Sequence, residues 1–179
     1  RRSYLVGVGA AAGGAIAGCL GSTADDPADP AGVAVETVVD GLSNPWGLAF
    51  LPDDGLVVTE RDTGRVVLVD RETGDRTDVE GVPSVDPAGQ GGLLDVALHP
   101  EFPAEPWLYL TYSATNDAGE STTHLGRGRL DPTAGRLSDF EVLHAAEPFL
   151  DRDNHYGSRV VFGDDDRLYV SVGDRQFKD

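Results

Sequence analysis

Three segments of the chain repeat one pattern: an apolar run, a turn rich in proline, aspartate or glycine, and a second apolar run. The copies are Gly47–Val58, Asp95–Pro100 continuing after an insertion at Trp107–Leu110, and Arg159–Val170. Aligning the copies places Phe50, Leu98 and Phe162 at equivalent positions, 48 and 64 residues apart. Repeats of this length with several strands each are typical of β-propeller blades. A β-sandwich with similar hairpins is the alternative, but the recurring unit favours the propeller.

Valine-rich runs separated by Asp and Gly turns predict antiparallel hairpins through the body of the chain. The predicted strands are Val33–Val39, Gly47–Leu51, Leu56–Glu60, Val66–Asp70, Leu93–Leu98, Trp107–Tyr112, His124–Leu130, Phe140–His144, Ser158–Phe162 and Leu168–Val172. No stretch after residue 33 keeps a helical period. A closed propeller usually needs at least about four blades. Residues 35–179 supply two to three four-stranded antiparallel blades, so we expect an all-β fold that is the front part of a larger propeller.

The first residues have the layout of an export signal. Arg1 and Arg2 open the chain in a twin-arginine-like motif, and an apolar, small-residue run follows from Val6 to Gly18. The run ends at Cys19 in a lipobox-like sequence. We expect residues 1–18 to be the signal, and residues 19–34 to be a lipidated cysteine followed by a flexible tether. The protein would then be exported and held at the outer face of the cell membrane only through that lipid. An amphiphilic tail with an accidental cysteine is the alternative.

The chain is strongly acidic, with a net charge of −17 from 14 basic and 31 acidic residues. This charge argues against nucleic-acid binding, which needs basic residues to neutralise phosphates. The single cysteine excludes an intramolecular disulfide framework and a multi-cysteine zinc site. Because the acids are dispersed over many loops, we interpret them as solvating groups suited to high salt rather than as a site for a cationic ligand.

Two loops carry candidate chemistry. His155 lies in the polar stretch Asp151–Arg159, just before a predicted strand, and a histidine is a suitable base near neutral pH. Asp174 ends the strand that follows and, if it lies close, could orient the ring and stabilise the imidazolium. Gln90 lies in a glycine-rich stretch that allows close approach of a ligand, and its amide offers both donor and acceptor. The alternatives are a loop histidine that caps a turn and, for Gln90, a flexible turn.

Other common site patterns are missing from the sequence. The four histidines share no short metal-ligand spacing, so we predict no metal site from them. Asp164–Asp166 resembles a calcium loop but lacks its later ligands, which favours a hairpin turn. No Gly-x-Ser-x-Gly elbow indicates a serine hydrolase.

Five segments together resemble the pyrroloquinoline quinone (PQQ)-dependent sugar dehydrogenases, the soluble glucose/sorbosone dehydrogenase group. They are Leu42–Pro52, Val58–Arg61, Gly89–Pro100, His155–Gly163 and Leu168–Asp174. The resemblance covers roughly residues 35–179, about the first half of such a protein. It implies a six-bladed β-propeller, PQQ as cofactor, and oxidation of a sugar hydroxyl to the lactone or carbonyl level. It also implies a downstream electron acceptor.

The resemblance also implies roles for individual residues. His155 matches the general base beside the cofactor, Asp174 the acid that supports it, and Gln90 a glutamine near cofactor and substrate. Asn154 stands at a substrate-contact position where relatives carry an acid. The cofactor-clamping basic residues and the calcium ligands are expected beyond Asp179, so we expect the chain alone to bind PQQ poorly and to be inactive. A non-catalytic propeller that binds partners and a calcium-dependent, lactonase-type sugar hydrolase are the alternatives.

Overall fold

The computed structural model of the protein describes residues 34–176, and all regular structure among them is β-strand. The strands are β1 (Pro45–Phe50), β2 (Leu56–Glu60), β3 (Arg65–Val69), β4 (Arg76–Asp78), β5 (Leu93–Leu98), β6 (Trp107–Thr115), β7 (Ser121–Asp131), β8 (Arg136–Ala145), β9 (Gly157–Phe162) and β10 (Leu168–Val172). They form two four-stranded antiparallel sheets, β1–β4 and β5–β8, and the hairpin β9–β10. The expected all-β fold is confirmed. In residues 34–176 no helix is long and apolar enough to cross a bilayer.

The sequence repeat corresponds to three successive sheets of a propeller. Phe50, Leu98 and Phe162, which the sequence aligns, are the last residues of β1, β5 and β9. Each of these is the first strand of its sheet, β1 packs against β5, and β5 packs against β9. The sheets therefore stack through equivalent strands, as the blades of a propeller do. The predicted partial propeller of four-stranded antiparallel blades is confirmed, with two full sheets and one hairpin among the described residues.

The main core lies between the first two sheets. Alternate side chains of a strand face opposite sides of its sheet, so Val57 and Val66 turn to this core while Val58 and Val67 turn to the other face. Leu93, from β5 of the second sheet, is fully buried in the same core. Burying apolar surface at about 25 cal/mol per Å² is the main force that holds the sheets together.

Buried threonine hydroxyls join neighbouring sheets at β-bulges. The pairing of β1 with β2 shifts between Pro45 and Leu48, and this bulge leaves the Gly47 N–H outside the ladder. Gly47 N–H donates instead to Thr59 Oγ1 at 2.8 Å, and the Thr59 hydroxyl donates to the Leu94 carbonyl of β5 at 2.5 Å. The Thr59 side chain thus accepts from the N–H at the bulge and donates to the next sheet.

The same arrangement recurs one sheet later. Asp95 N–H, at the bulge of β5, donates to Thr111 Oγ1 at 2.9 Å, and the Thr111 hydroxyl donates to the Ser158 carbonyl of β9 at 2.9 Å. In the hairpin, Arg159 N–H donates to Ser171 Oγ at 2.9 Å, which repeats the first half of the pattern. The repeat therefore extends to individual hydrogen bonds.

A buried carboxylate adds a second bond between β5 and β9. Asp95 is 2% exposed. It accepts from the Arg159 guanidinium at 3.0 Å through Oδ1 and from Val160 N–H at 2.8 Å through Oδ2. Both carboxylate oxygens are therefore satisfied, which a buried charge requires. Together with Thr111, this carboxylate sets the position of the hairpin that carries the candidate site.

Glu60, at the end of β2, is a second buried carboxylate. Burial alone would raise its pKa, but hydrogen bonds from Ser43 N–H, the Thr63 hydroxyl and the Arg65 guanidinium outweigh burial and hold the pKa below its ordinary value. Glu60 therefore stays ionised while buried, and it ties the segment before β1 to the β2–β3 turn.

The structure corrects two predictions about strands. The predicted strand Val33–Val39 is wrong over residues 34–39, which pair with no strand; Val35 is 92% exposed there, and Val39 packs against the outer face of β2 and β3. An apolar run without a neighbouring strand has no ladder to join. Conversely, β4 was missed because Arg76–Asp78 are polar and exposed and carry no apolar alternation. The Asp164–Asp166 segment forms the predicted turn of the β9–β10 hairpin.

Candidate functional site

The hairpin β9–β10 brings the predicted base and acid to the same end of the sheet. Gly157 of β9 pairs with Val172 of β10, so the residues just before β9 lie beside those just after β10. Gly173 allows this close approach, because a Cβ there would overlap the His155 carbonyl. His155 and Asp174 are 19 positions apart in the sequence but adjacent in the fold.

His155 and Asp174 form a direct hydrogen bond. His155 Nδ1 lies 2.8 Å from Asp174 Oδ1, and the two side chains are 45% and 60% exposed. An ionised carboxylate only accepts hydrogen bonds, so this contact places the proton on Nδ1. In the neutral ring Nε2 then carries the lone pair, and it makes no hydrogen bond to any described residue. The pair has the chemistry of an oriented general base.

Gln90 joins the glycine-rich loop to the loop that carries His155. Its side-chain Oε1 accepts from His155 N–H at 2.9 Å, and its own N–H donates to the Asp153 carbonyl at 2.7 Å. Because a backbone N–H must meet an oxygen, this contact fixes the orientation of the Gln90 side chain and leaves its amide Nε2 as a donor. Gly89 allows this contact, since a Cβ there would overlap the Asp153 carboxylate.

Gln90 and His155 line one open cleft of about 310 Å³. The other lining residues are Trp46, Arg61, Leu94, Tyr156 and Gly157. The Trp46 ring is half exposed, and the Arg61 guanidinium lies 5.5 Å from its centroid. A base, an amide donor, a cation and an aromatic face therefore surround one space.

Arg61 is a cleft residue to which the sequence assigned no role. The only signal was its place in the Val58–Arg61 segment that supports the family resemblance. Its Nε donates to Asp62 Oδ1 at 2.6 Å, and this hydrogen bond lowers the pKa of Asp62. Nη1 and Nη2 make no hydrogen bond within residues 34–176, which leaves donors for an anionic ligand.

Asn154 does not line this cleft. Its Oδ1 is buried and has no hydrogen-bond partner among the described residues, while its backbone carbonyl accepts from Arg175 Nε at 2.8 Å. Its predicted contact with substrate therefore stays a prediction. Cys19, the predicted lipidation site, lies outside the described residues.

The other histidines lie apart from the cleft. His124 stacks on Tyr112, and burial lowers its pKa, which favours the neutral ring. His99 packs edge-on against Phe162. Within residues 34–176, no group of three or more His, Cys, Asp or Glu side chains is arranged to hold a metal ion.

Comparison with known proteins supports the resemblance seen in the sequence. The glucose/sorbosone dehydrogenase family model matches residues 42–179. Aldose sugar dehydrogenase YliI of Escherichia coli K12 is 39% identical over 148 residues, which cover 82% of this chain and 40% of that protein. Quinoprotein glucose dehydrogenase B of Acinetobacter calcoaceticus is 29% identical over 147 residues, 78% of this chain and 30% of that protein.

Solved structures agree in fold as well as in sequence. The PQQ-bound aldose sugar dehydrogenase of Streptomyces coelicolor superposes with a TM-score of 0.72 at 32% identity, covering 80% of this chain and 42% of that one. A crystal structure of a glucose dehydrogenase gives a TM-score of 0.76 at 37% identity, covering 80% of this chain and 42% of that one. The chain thus spans well under half the length of these relatives. It belongs to the glucose/sorbosone dehydrogenase family.

Proposed function

We propose that the protein carrying this chain oxidises the hydroxyl of an aldose to the lactone, with PQQ as the hydride acceptor. The observation that carries the proposal is the oriented base, His155 hydrogen-bonded to Asp174, in one cleft with Gln90. The names of relatives, an aldose sugar dehydrogenase and a quinoprotein glucose dehydrogenase, support the same chemistry.

His155 supplies the acid–base half of the reaction. Nε2 takes the proton from the sugar hydroxyl, the C–O bond becomes C=O, and the hydrogen on that carbon leaves as hydride. An alcohol holds its proton tightly, so loss of hydride requires a base acting at the same time. Asp174 keeps Nδ1 protonated in the resting state and stabilises the imidazolium that forms. Bound PQQ would supply the acceptor for the hydride.

The cleft residues fit part of a planar, carboxylated quinone. The exposed Trp46 ring offers a stacking surface, the Arg61 Nη atoms can donate to a carboxylate, and Gln90 Nε2 can donate to a quinone or sugar oxygen. Among residues 34–176, Arg61 is the one cation that lines this cleft. A ligand with several negative charges needs more than one, so we expect the chain alone to bind PQQ weakly.

Calcium belongs to the proposal only for the whole protein. The family resemblance implies it, but among residues 34–176 no donor cluster fits a metal ion. We therefore assign no described residue to calcium and derive no step from it. Chelation of calcium should reduce loading of PQQ onto the whole protein and leave the fold of this chain unchanged by circular dichroism.

The test compares two reactions in the protein carrying this chain. Aldose oxidation is followed by reduction of an artificial dye with and without added PQQ, and hydrolysis of the sugar lactone is followed without PQQ. The proposal predicts oxidation only with PQQ and no lactone hydrolysis. Hydrolysis without PQQ would identify a lactonase-type enzyme, and no turnover in either assay would favour a binding module.

A further inference from the structure

Arg175, the residue after Asp174, is a buried cation bonded to backbone carbonyls rather than to an acid. It is 4% exposed. Its Nε donates to the Asn154 carbonyl at 2.8 Å, its Nη1 donates to the Ser121 carbonyl at 2.8 Å, and its Nη2 donates to the Arg152 carbonyl. The rigid fork of an arginine suits such a set of acceptors, and a lysine could not reach all of them.

The same side chain also stacks on an aromatic ring and donates to a hydroxyl group. Its guanidinium carbon lies 3.9 Å from the centroid of the Tyr156 ring, and its Nη2 also donates to Ser121 Oγ at 3.1 Å. The Tyr156 hydroxyl is 2.7 Å from the same Ser121 oxygen. Burial lowers the pKa of Arg175, but an arginine stays protonated in a protein, so this position keeps a buried positive charge.

These contacts surround the candidate base. Arg175 bonds the carbonyls of residues 152 and 154, stacks on residue 156, and donates its backbone N–H to the His155 carbonyl at 3.3 Å. Its own chain neighbour is Asp174, the partner of the His155 ring. Arg175 therefore links the loop that carries His155 to the backbone next to Asp174.

We propose that Arg175 is the positioning residue that holds His155 in register with Asp174 and Gln90. This inference rests on the proposed function for its catalytic meaning, but its structural part can be measured without turnover. Arg175 does not line the cleft of Gln90 and His155, so it acts through the loop.

The first test uses nuclear magnetic resonance on the whole protein that carries this chain and on its R175K variant. In the wild type, the His155 ring should show one tautomer with the proton on Nδ1. R175K should lose that single signature, and the His155 amide should exchange with water about tenfold faster, since its bond to Gln90 opens. R76K is the matched control, because Arg76 also donates to two backbone carbonyls, at 3.0 and 2.8 Å, but far from this loop.

Two further variants separate positioning from general stability. V66A removes buried methyl groups from the main core between the first two sheets, which includes neither Arg175 nor residues 151–156, so it should lower stability and leave the His155 signals unchanged. S121A removes only part of the Arg175 set and should move the His155 signals in the same direction as R175K, by less. Unchanged His155 signals in S121A and R175K, or equal changes in V66A, would overturn the proposal.

The second test is kinetic and uses the whole protein with PQQ. R175K should lower kcat about 100-fold, because small displacements of a reacting group are that costly, while KM stays close to the wild-type value. An unchanged kcat would overturn the catalytic part of the inference. If the wild type shows no turnover but the resonance data behave as predicted, the proposed function fails and the positioning of His155 stands.

Discussion

Replacing Thr111 by valine should show how much one hydroxyl contributes to the contact between neighbouring sheets. The side chains have nearly the same shape, and Thr111 is fully buried. The variant leaves Asp95 N–H without its acceptor and removes the hydroxyl donor from the Ser158 carbonyl, bonds of 2.9 Å each. A buried group left without its partner costs about 1–3 kcal/mol. Because two are affected, we expect a loss of about 3 kcal/mol, or about 6–12 °C in Tm for a chain of this size.

Urea unfolding followed by tryptophan fluorescence and circular dichroism measures this loss. T77V is the matched control, since Thr77 lies in a strand but is exposed, and it should change the unfolding free energy by less than about 0.5 kcal/mol. The slope of the transition should stay the same in T111V if only stability changes. A T111V protein as stable as T77V would refute the role given to the hydroxyl.

Three further predictions concern charge, tautomer and export. Burial opposes ionisation of Glu60, but its hydrogen bonds outweigh burial and lower its pKa. The ionised carboxylate therefore stabilises the fold above the unfolded pKa of about 4.3, and this stabilisation is lost as the pH falls through the lower folded pKa. E60Q should therefore be less stable than wild type by about 1–2 kcal/mol at pH 7, and the difference should shrink as the pH falls below about 4.3, by denaturant unfolding. D174N should let the His155 ring take the wrong tautomer and lower kcat by at least about tenfold with little change in KM, and an unchanged kcat would remove Asp174 from the mechanism. C19A should abolish incorporation of labelled lipid in cells, and continued labelling would show that Cys19 is not the anchor.

Most strands could be predicted because their signal is local. Leu56–Glu60, Leu93–Leu98 and Leu168–Val172 match the structure at both ends, since each is an apolar run closed by turn residues. Arg76–Asp78 could not be predicted, because an edge strand that buries nothing needs no apolar side chain. The predicted strand Val33–Val39 is wrong over residues 34–39, because an apolar composition does not show whether a partner strand exists.

The geometry of the site depends on contacts between distant parts of the chain, which sequence spacing does not predict. The predicted β9–β10 hairpin was correct, but its register decides whether Asp174 meets the ring or the backbone of His155. The acceptor of Gln90 is used by a backbone N–H 65 positions away, which no motif records. The role of Arg175 could not be predicted, because the sequence does not show whether an arginine after Gly-Asp is solvated or buried under a loop.

The central claim is that His155 is the base of a PQQ-dependent sugar oxidation. The most direct measurement compares dye-coupled aldose oxidation by wild type, H155A and H144A in the PQQ-loaded protein, with circular dichroism to confirm the fold. His144 is an exposed histidine of β8 and serves as control. We predict that H155A loses about 10²–10⁴-fold in kcat with its fold intact, while H144A retains full activity. Turnover by H155A at the wild-type rate would contradict the account.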